Sequence, residues 1–453
     1  MKNLTLQNIA GCVSGRYIGD RALLLKEISA VTTDSREVRS GCLFAAIKGE
    51  RSDGNDYILK AAELGALCAI GQRVPEDCPI PVILVEDTVS ALGDLAGFYR
   101  SGLDVKILGV TGSVGKTTAK EMLYSVLSQR FKVHKTAKNL NNELGVPLTL
   151  FGLDESFELA VVEMGISHFG EMTRLAEIAR PDMALYTTIG AAHLEFLGDF
   201  EGVLRAKSEL LPLLPEDGTV FVNGDDETLK NLTCSQSLCR YGISADCEVR
   251  GENVRVLGED GMTLDIASGE RCFSVEIHSF GVHMVTAALG AAAVGIRMGL
   301  TDAEIAAGIA AYRPVGSRSG LIKTPKLTII DDCYNANPTS TAAALKSLSL
   351  LKQRKVAILG DMGELGESAG ELHRQTGERA GEAGLDLLIA CGRLSAHTAE
   401  GARAAGVSSV KYFPDKAELL KGLGELLSEG DAVLVKASHA EAFEEIVDAL
   451  KGI

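Results

Sequence analysis

The chain has 453 residues, 46 % of them apolar and 23 % charged, an ordinary globular composition with length for about three domains. Its net charge is −16, from 45 Lys plus Arg against 61 Asp plus Glu. That argues against a broad nucleic-acid partner, which needs a basic footprint, and leaves room only for local phosphate sites.

No apolar stretch approaches the roughly 18 residues that mark a membrane span, and the opening MKNLTLQNIAGCVSG lacks a secretory apolar core. The ten Cys form no CxxC pair and no zinc-type spacing with His. They read as buried reduced thiols, so a reducing, cytoplasmic setting is expected.

Residues 1–100 mix short apolar runs with turns. Leu43–Ile47 and Val82–Val85 read as strands, Tyr57–Leu64 and Thr88–Arg100 as helices. Residues 101–320 open with VKILGV, a buried-strand run, then TGSVGKTT, then a helical AKEMLYSVLSQR. Further strand runs follow at Leu159–Val162, Ala184–Tyr186 and Val220–Val222, with helical stretches between. This alternation predicts a parallel sheet with helices on both faces. Residues 246–278 change to short alternating runs with GED-G and SGE turns, which predict antiparallel hairpins. Residues 321–453 repeat the α/β alternation, with strands at Leu327–Ile330, Val356–Leu359, Leu387–Ala390, Val410–Phe413 and Ala432–Val435. The expected fold class is α/β in three domains: a small N-terminal unit, a central phosphate-loop unit and a Rossmann-like C-terminal unit.

TGSVGKTT (Thr111, Gly112, Ser113, Val114, Gly115, Lys116, Thr117, Thr118) is the strongest local signal. Its glycines allow a tight turn close to a ligand, and the following helix presents free N–H groups to an anion. Lys116 adds a charge for the β and γ phosphates, and the Thr117 hydroxyl suits Mg²⁺. Val110 stands where a strict Walker loop has Gly. Strand, GKTT and helix together nonetheless favour a nucleotide site.

Glu163 ends a parallel strand, where a carboxylate is placed to hold Mg²⁺. His193 could ligate metal through a neutral ring nitrogen, though a lone His is more often structural. By composition alone Lys207 is an ordinary helical Lys.

Four segments, TGSVGKTT, KTAKNLNNELGVPLTL (135–150), AHLEFLGDFEGVLRAKSE (192–209) and IIDDCYNANPTS (329–340), together resemble the Mur ligase family of peptidoglycan precursor synthesis. The segments ILGDMGELGE (358–367) and TDSREVRSGCLFAAIKGERSDGNDYI (33–58) extend the resemblance over essentially the whole chain and point to the branch that adds a dipeptide. The resemblance implies domains over 1–100 for a UDP-sugar, 101–320 for ATP and 321–453 closing over both. It implies UDP-MurNAc-tripeptide and D-alanyl-D-alanine as substrates, joined through an acyl phosphate by a cytoplasmic, monomeric enzyme.

By the same resemblance, Glu163 and His193 match holders of a second metal, and Lys207 matches a lysine carried as a carbamate. A free Lys is neutral in only roughly one part in 2,500 at pH 7, and its ammonium would repel Mg²⁺; adding CO₂ makes it an anion. Arg318 matches an arginine that reaches ATP phosphate on closure, joining Lys116, Lys207 and His193 among the expected catalytic residues. His283 and Asp332 match nucleotide contacts. Asn139, Asn141, Asn142, Tyr334, Asn335 and Asn337 match substrate contacts near the phosphate and dipeptide. Ser35, Arg36, Lys48, Asp53 and Gly54 match the UDP-sugar unit, with Arg36 and Lys48 as charges for a diphosphate.

The chain departs from the family pattern at Thr188, Met284 and Thr286, where Asn is usual, and at Ala437-Ser438-His439, where Gly-Ser-Arg is usual. Activity with altered nucleotide affinity is expected. A sister Mur-type or folylpolyglutamate-type ligase and a non-enzymatic ATP switch remain as alternatives.

Overall fold

Three sheets of five, nine and six strands carry the alternation read in the sequence, and the computed structural model describes all 453 residues. The first sheet holds β1 (Arg16–Ile18), β2 (Val31–Thr32), β3 (Leu43–Ala45), β4 (Cys68–Gly71) and β5 (Val82–Leu84), in the order β1-β5-β4-β3-β2. Only β1 runs antiparallel to its neighbour. The sequence reading found β3, β5 and the helices Ile58–Glu63 and Thr88–Ser101, but not the short helix Leu6–Cys12. It missed three strands of two to four residues, too short to display a period of two.

The central sheet holds β6 (Lys106–Thr111), β7 (Val133–Lys135), β8 (Leu159–Glu163), β9 (Met183–Tyr186), β10 (Thr219–Asn223), β11 (Ser237–Gly242), β12 (Val249–Val256), β13 (Met262–Ser268) and β14 (Arg271–Ile277). The order is β14-β13-β12-β11-β10-β9-β6-β8-β7, parallel from β7 as far as β12. Its middle strands are buried on both faces, which is why they appear as unbroken apolar runs. Within β6, Leu108 and Val110 pack toward helices Lys116–Leu127 and His283–Arg297, while Ile107 packs on the opposite face beside helix Glu171–Ala179. The predicted hairpins are β12–β13–β14, antiparallel, extending this same sheet at its edge.

The third sheet holds β15 (Gly320–Lys323), β16 (Thr328–Asp331), β17 (Lys355–Gly360), β18 (Leu387–Cys391), β19 (Ser409–Phe413) and β20 (Ala432–Lys436). The order β15-β16-β20-β17-β18-β19 is parallel except for the edge pair β15–β16. Val356 and Ile358 of β17 enter one apolar cluster and Ala357 and Leu359 the other, so helices cover both faces.

Helix Thr88–Ser101, capped by Asp87, joins the first sheet to the second. Its Arg100 is buried and donates to the carbonyl of Ala179 (3.2 Å), fixing the two units together. No helix is long and apolar enough to cross a membrane.

Candidate active site

A cavity of about 680 Å³ opens where the carboxyl ends of central and third sheets face each other. Parallel strands deliver loops there, and the topology explains why chemistry collects at that edge. The phosphate loop forms its floor. Gly115 (φ +84°) caps helix Lys116–Leu127 in a left-handed conformation, aiming the free amides of the first turn into the cavity. Gly112 (φ +143°) has no room for a side chain: a Cβ would sit 2.0 Å from Thr187 Oγ1. The Thr187 hydroxyl lies within hydrogen-bonding distance of the carbonyls of Val114 (2.6 Å) and Thr111 (3.2 Å), and the Ser113 amide donates to the Thr188 carbonyl (2.7 Å). Thr111 itself is wholly buried behind the loop, its hydroxyl without a partner.

Lys116 Nζ donates to the Gly112 carbonyl (2.7 Å). Burial lowers its pKa, Glu163 opposes that shift, and Arg318 adds to it. Thr117 donates to Glu163 (3.0 Å to Oε2), and Asn141 Nδ2 donates to its Oε1 (2.8 Å). Lys120, one helical turn after Lys116, places Nζ 3.5 Å from Glu163 Oε2 and 3.3 Å from Glu121 Oε1. Lys120 went unnoticed in the sequence, where it looks like a surface Lys. The i, i+4 relation to Lys116 was its one available signal.

The hydroxyl of Thr117 beside the Glu163 carboxylate is a hard oxygen pair, which fits Mg²⁺. His193 also lines the cavity, but its Nδ1 is engaged by Glu364 Oε2 at 2.6 Å. No three His, Cys, Asp or Glu side chains converge into a ready-made metal cluster. Lys207 lies outside the cavity lining, 1 % exposed. Burial first, then the nearby Lys116 charge, pushes its pKa well below that of an ordinary Lys.

The third unit supplies the opposite wall. Arg318 stacks over the Tyr334 ring at 3.9 Å, and His439 lies 5.4 Å from the same ring. Asp332 accepts from the Ser319 amide (2.9 Å) through Oδ1 and pairs with Lys436 (2.5 Å) through Oδ2. Lys436 was also missed, because nothing in VKASH marks it as anything but the end of a strand. His283 opens the helix His283–Arg297 in this wall, its pKa lowered by burial.

The asparagines divide by role. Asn141 reaches Glu163, whereas Asn142 accepts from the Gly145 amide and Asn337 caps helix Pro338–Ser349. Asn139, Asn142, Asn335 and Asn337 still line the cavity. Met284 is fully buried and faces away from it, while Thr286 lines it.

The first-unit residues are not among those lining the cavity. Ser35 and Arg36 form a short turn in which Arg36 grips Asp34 (2.6 Å), and Lys48 and Asp53 pair across a bridge. A Cβ on Gly54 would meet the Ile47 carbonyl at 2.5 Å, so close packing requires glycine there.

Three family models match: the Mur ligase family catalytic domain over residues 27–100, the Mur ligase middle domain over 110–295, and the Mur ligase glutamate ligase domain over 317–439. A UDP-N-acetylmuramoyl-tripeptide–D-alanyl-D-alanine ligase from Bacillus subtilis is 37 % identical over 98 % of both chains. A crystal structure of MurF from Acinetobacter baumannii superposes with a TM-score of 0.90 at 31 % identity, covering 99 % of each chain. A MurF ligase from Thermotoga maritima in complex with ADP superposes at 0.83 and 29 % identity, covering 93 % of this chain and 97 % of that one.

Proposed function

The chain belongs to the Mur ligase family, and from that premise we propose that it joins D-alanyl-D-alanine to UDP-N-acetylmuramoyl-tripeptide using ATP. The observation that carries the reading is the shared cavity: a phosphate loop with Lys116 on one wall faces Arg318, Asp332 and Tyr334 on the other. The ADP-bound relative supports ATP as the nucleotide.

Both reactants that must meet are anions, so catalysis is chiefly charge neutralisation and alignment. A tripeptide carboxylate oxygen attacks the γ-phosphorus, and ADP leaves. The dipeptide amine then attacks the acyl carbon of the acyl phosphate and loses a proton as inorganic phosphate departs. Lys116 and the loop amides hold the β and γ phosphates. Thr117 and Glu163 are the residues to hold Mg²⁺, which screens phosphate charge when bound. Lys120 keeps Glu163 from standing as a lone buried anion. Arg318 reaches the phosphates from the third unit. Ser35, Arg36, Lys48, Asp53 and Gly54 we assign to the UDP-sugar, within a substrate domain spanning 1–100.

Lys207 we assign as a carbamate. Its depressed pKa supports this, since only the neutral amine adds CO₂, releasing a proton and leaving an anion. Use of ATP and ten free thiols fit a cytoplasmic setting, and a monomer is the proposed state.

The test is purified protein with muramoyl tripeptide, D-alanyl-D-alanine, ATP and Mg²⁺. The pentapeptide product should form, with phosphate release requiring both substrates. Release that needs neither would overturn the reading, and transfer of single amino acids in preference to the dipeptide would redirect it to a sister ligase.

A further inference from the structure

The segment GDMGELGE lies outside the cavity lining, yet the third unit holds it with unusual firmness. Asp361 accepts from the Leu394 and Ser395 amides and the Ser395 hydroxyl. The Met362 amide donates to His373 Nε2 (3.0 Å), and the Gly363 amide donates to Ser438 Oγ (2.7 Å). What this anchoring presents is Glu364, at the loop tip with φ +59°.

Across from it stands His193 of the middle unit, itself left-handed at φ +56°. Glu364 Oε2 lies 2.6 Å from His193 Nδ1. A second contact runs beside it, since the Glu195 amide donates to the Glu364 carbonyl (3.3 Å). A Cβ on Gly366 would come within 3.3 Å of Glu195 Cα, so the two loops meet backbone to backbone. A third close point, Gly190 against Thr339, brings the same two units together nearby.

We propose that Glu364 is a positioning residue: when the third unit closes, its carboxylate docks on His193 Nδ1 and turns the opposite ring nitrogen toward the nucleotide cavity. A histidine whose one nitrogen is held by a carboxylate has a fixed tautomer and a more basic second nitrogen. The middle unit alone does not supply that carboxylate. Assembly of the histidine therefore depends on domain closure, and the anchored shape of one loop serves a group on another unit. This inference rests on the ligase reading proposed above, in which the cavity that His193 lines holds the nucleotide.

The test is a double-substitution cycle in the full chain with Glu364→Ala, Glu364→Gln, His193→Ala and the Glu364→Ala/His193→Ala pair. One readout is Mn²⁺ affinity with a non-hydrolysable ATP analogue, followed by electron paramagnetic resonance of free Mn²⁺. Another is hydrogen exchange over 193–198. Glu364→Ala should weaken Mn²⁺ binding and lower kcat by about 10–100-fold, with little change in KM for the tripeptide nucleotide. It should also raise exchange over 193–198. Glu364→Gln, which still offers an oxygen to Nδ1–H, should recover part of the loss. Adding Glu364→Ala to His193→Ala should cost nothing further. Unchanged Mn²⁺ affinity and exchange in Glu364→Ala, or a full additional loss in the pair, would overturn the proposal. Neither readout needs turnover, so a chain that makes no pentapeptide would fail the functional reading without deciding this one.

Discussion

Lys436 Nζ lies 2.5 Å from Asp332 Oδ2, and the two side chains are 3 % and 13 % exposed. The same ammonium donates to the Asn335 carbonyl (3.0 Å), so the end of β20 grips the loop that follows β16. Through Ser319, Asp332 also holds the residue next to Arg318. One buried pair thus orders both sides of the Arg318–Tyr334 stack.

Lys436→Met should therefore leave Asp332 as an unpaired buried carboxylate, costing about 3–5 kcal/mol in urea unfolding. Turnover should fall with it. Lys436→Arg keeps the charge and should recover most of the stability, and equal stability for Met and Lys at this position would refute the pairing argument.

Lys116→Ala removes the one side-chain cation in the phosphate loop. Phosphate release should drop by at least about 100-fold, and the thermal shift given by ADP should shrink. Folding should be preserved, because Lys116 bonds only to a carbonyl within its own loop.

Gly112→Ala tests loop geometry separately from charge. The added carbon would overlap Thr187 Oγ1, at a φ that side chains rarely adopt. Loss of ADP binding and at least about 1–3 kcal/mol of stability is the expected outcome, read by calorimetry.

His373 gives a pH dependence. Burial lowers its pKa, and its Nε2 accepts the Met362 amide while Nδ1 donates to the Ala369 carbonyl (2.7 Å). The unfolded chain binds this proton near pH 6.5 and the folded chain only at lower pH, so its contribution is present above about pH 6.5 and lost as pH falls below it. His134 and His283 shift the same way and steepen the slope. His373→Gln, which can still accept the Met362 amide, should flatten the fall in Tm between about pH 6.5 and 5; an unchanged slope would contradict the assignment.

Lys207→Ala should lose activity and regain part of it with a short added carboxylate such as formate. Full activity without rescue would remove the carbamate.

The fold was legible wherever strands are buried on both faces. β6, β8, β9 and β10 announce themselves as apolar runs, and β12–β14 alternate because one edge of the sheet is half solvated. The phosphate loop was legible because its glycines and Lys116 act within eight consecutive residues. Lys120, Lys436 and Glu364 were not, because each acquires its meaning from a partner far along the chain: Glu163, Asp332 and His193. Local spacing carries no trace of such pairs. Nor could it reveal that Thr111 turns its hydroxyl inward, since that depends on the strand register beneath the loop.

Thr187 fastens the phosphate loop from behind through two carbonyls, contacts internal to the protein. A cradle already shaped before its guest arrives surrenders little freedom on occupation. Nucleotide capture should then carry only a small entropic penalty at this loop.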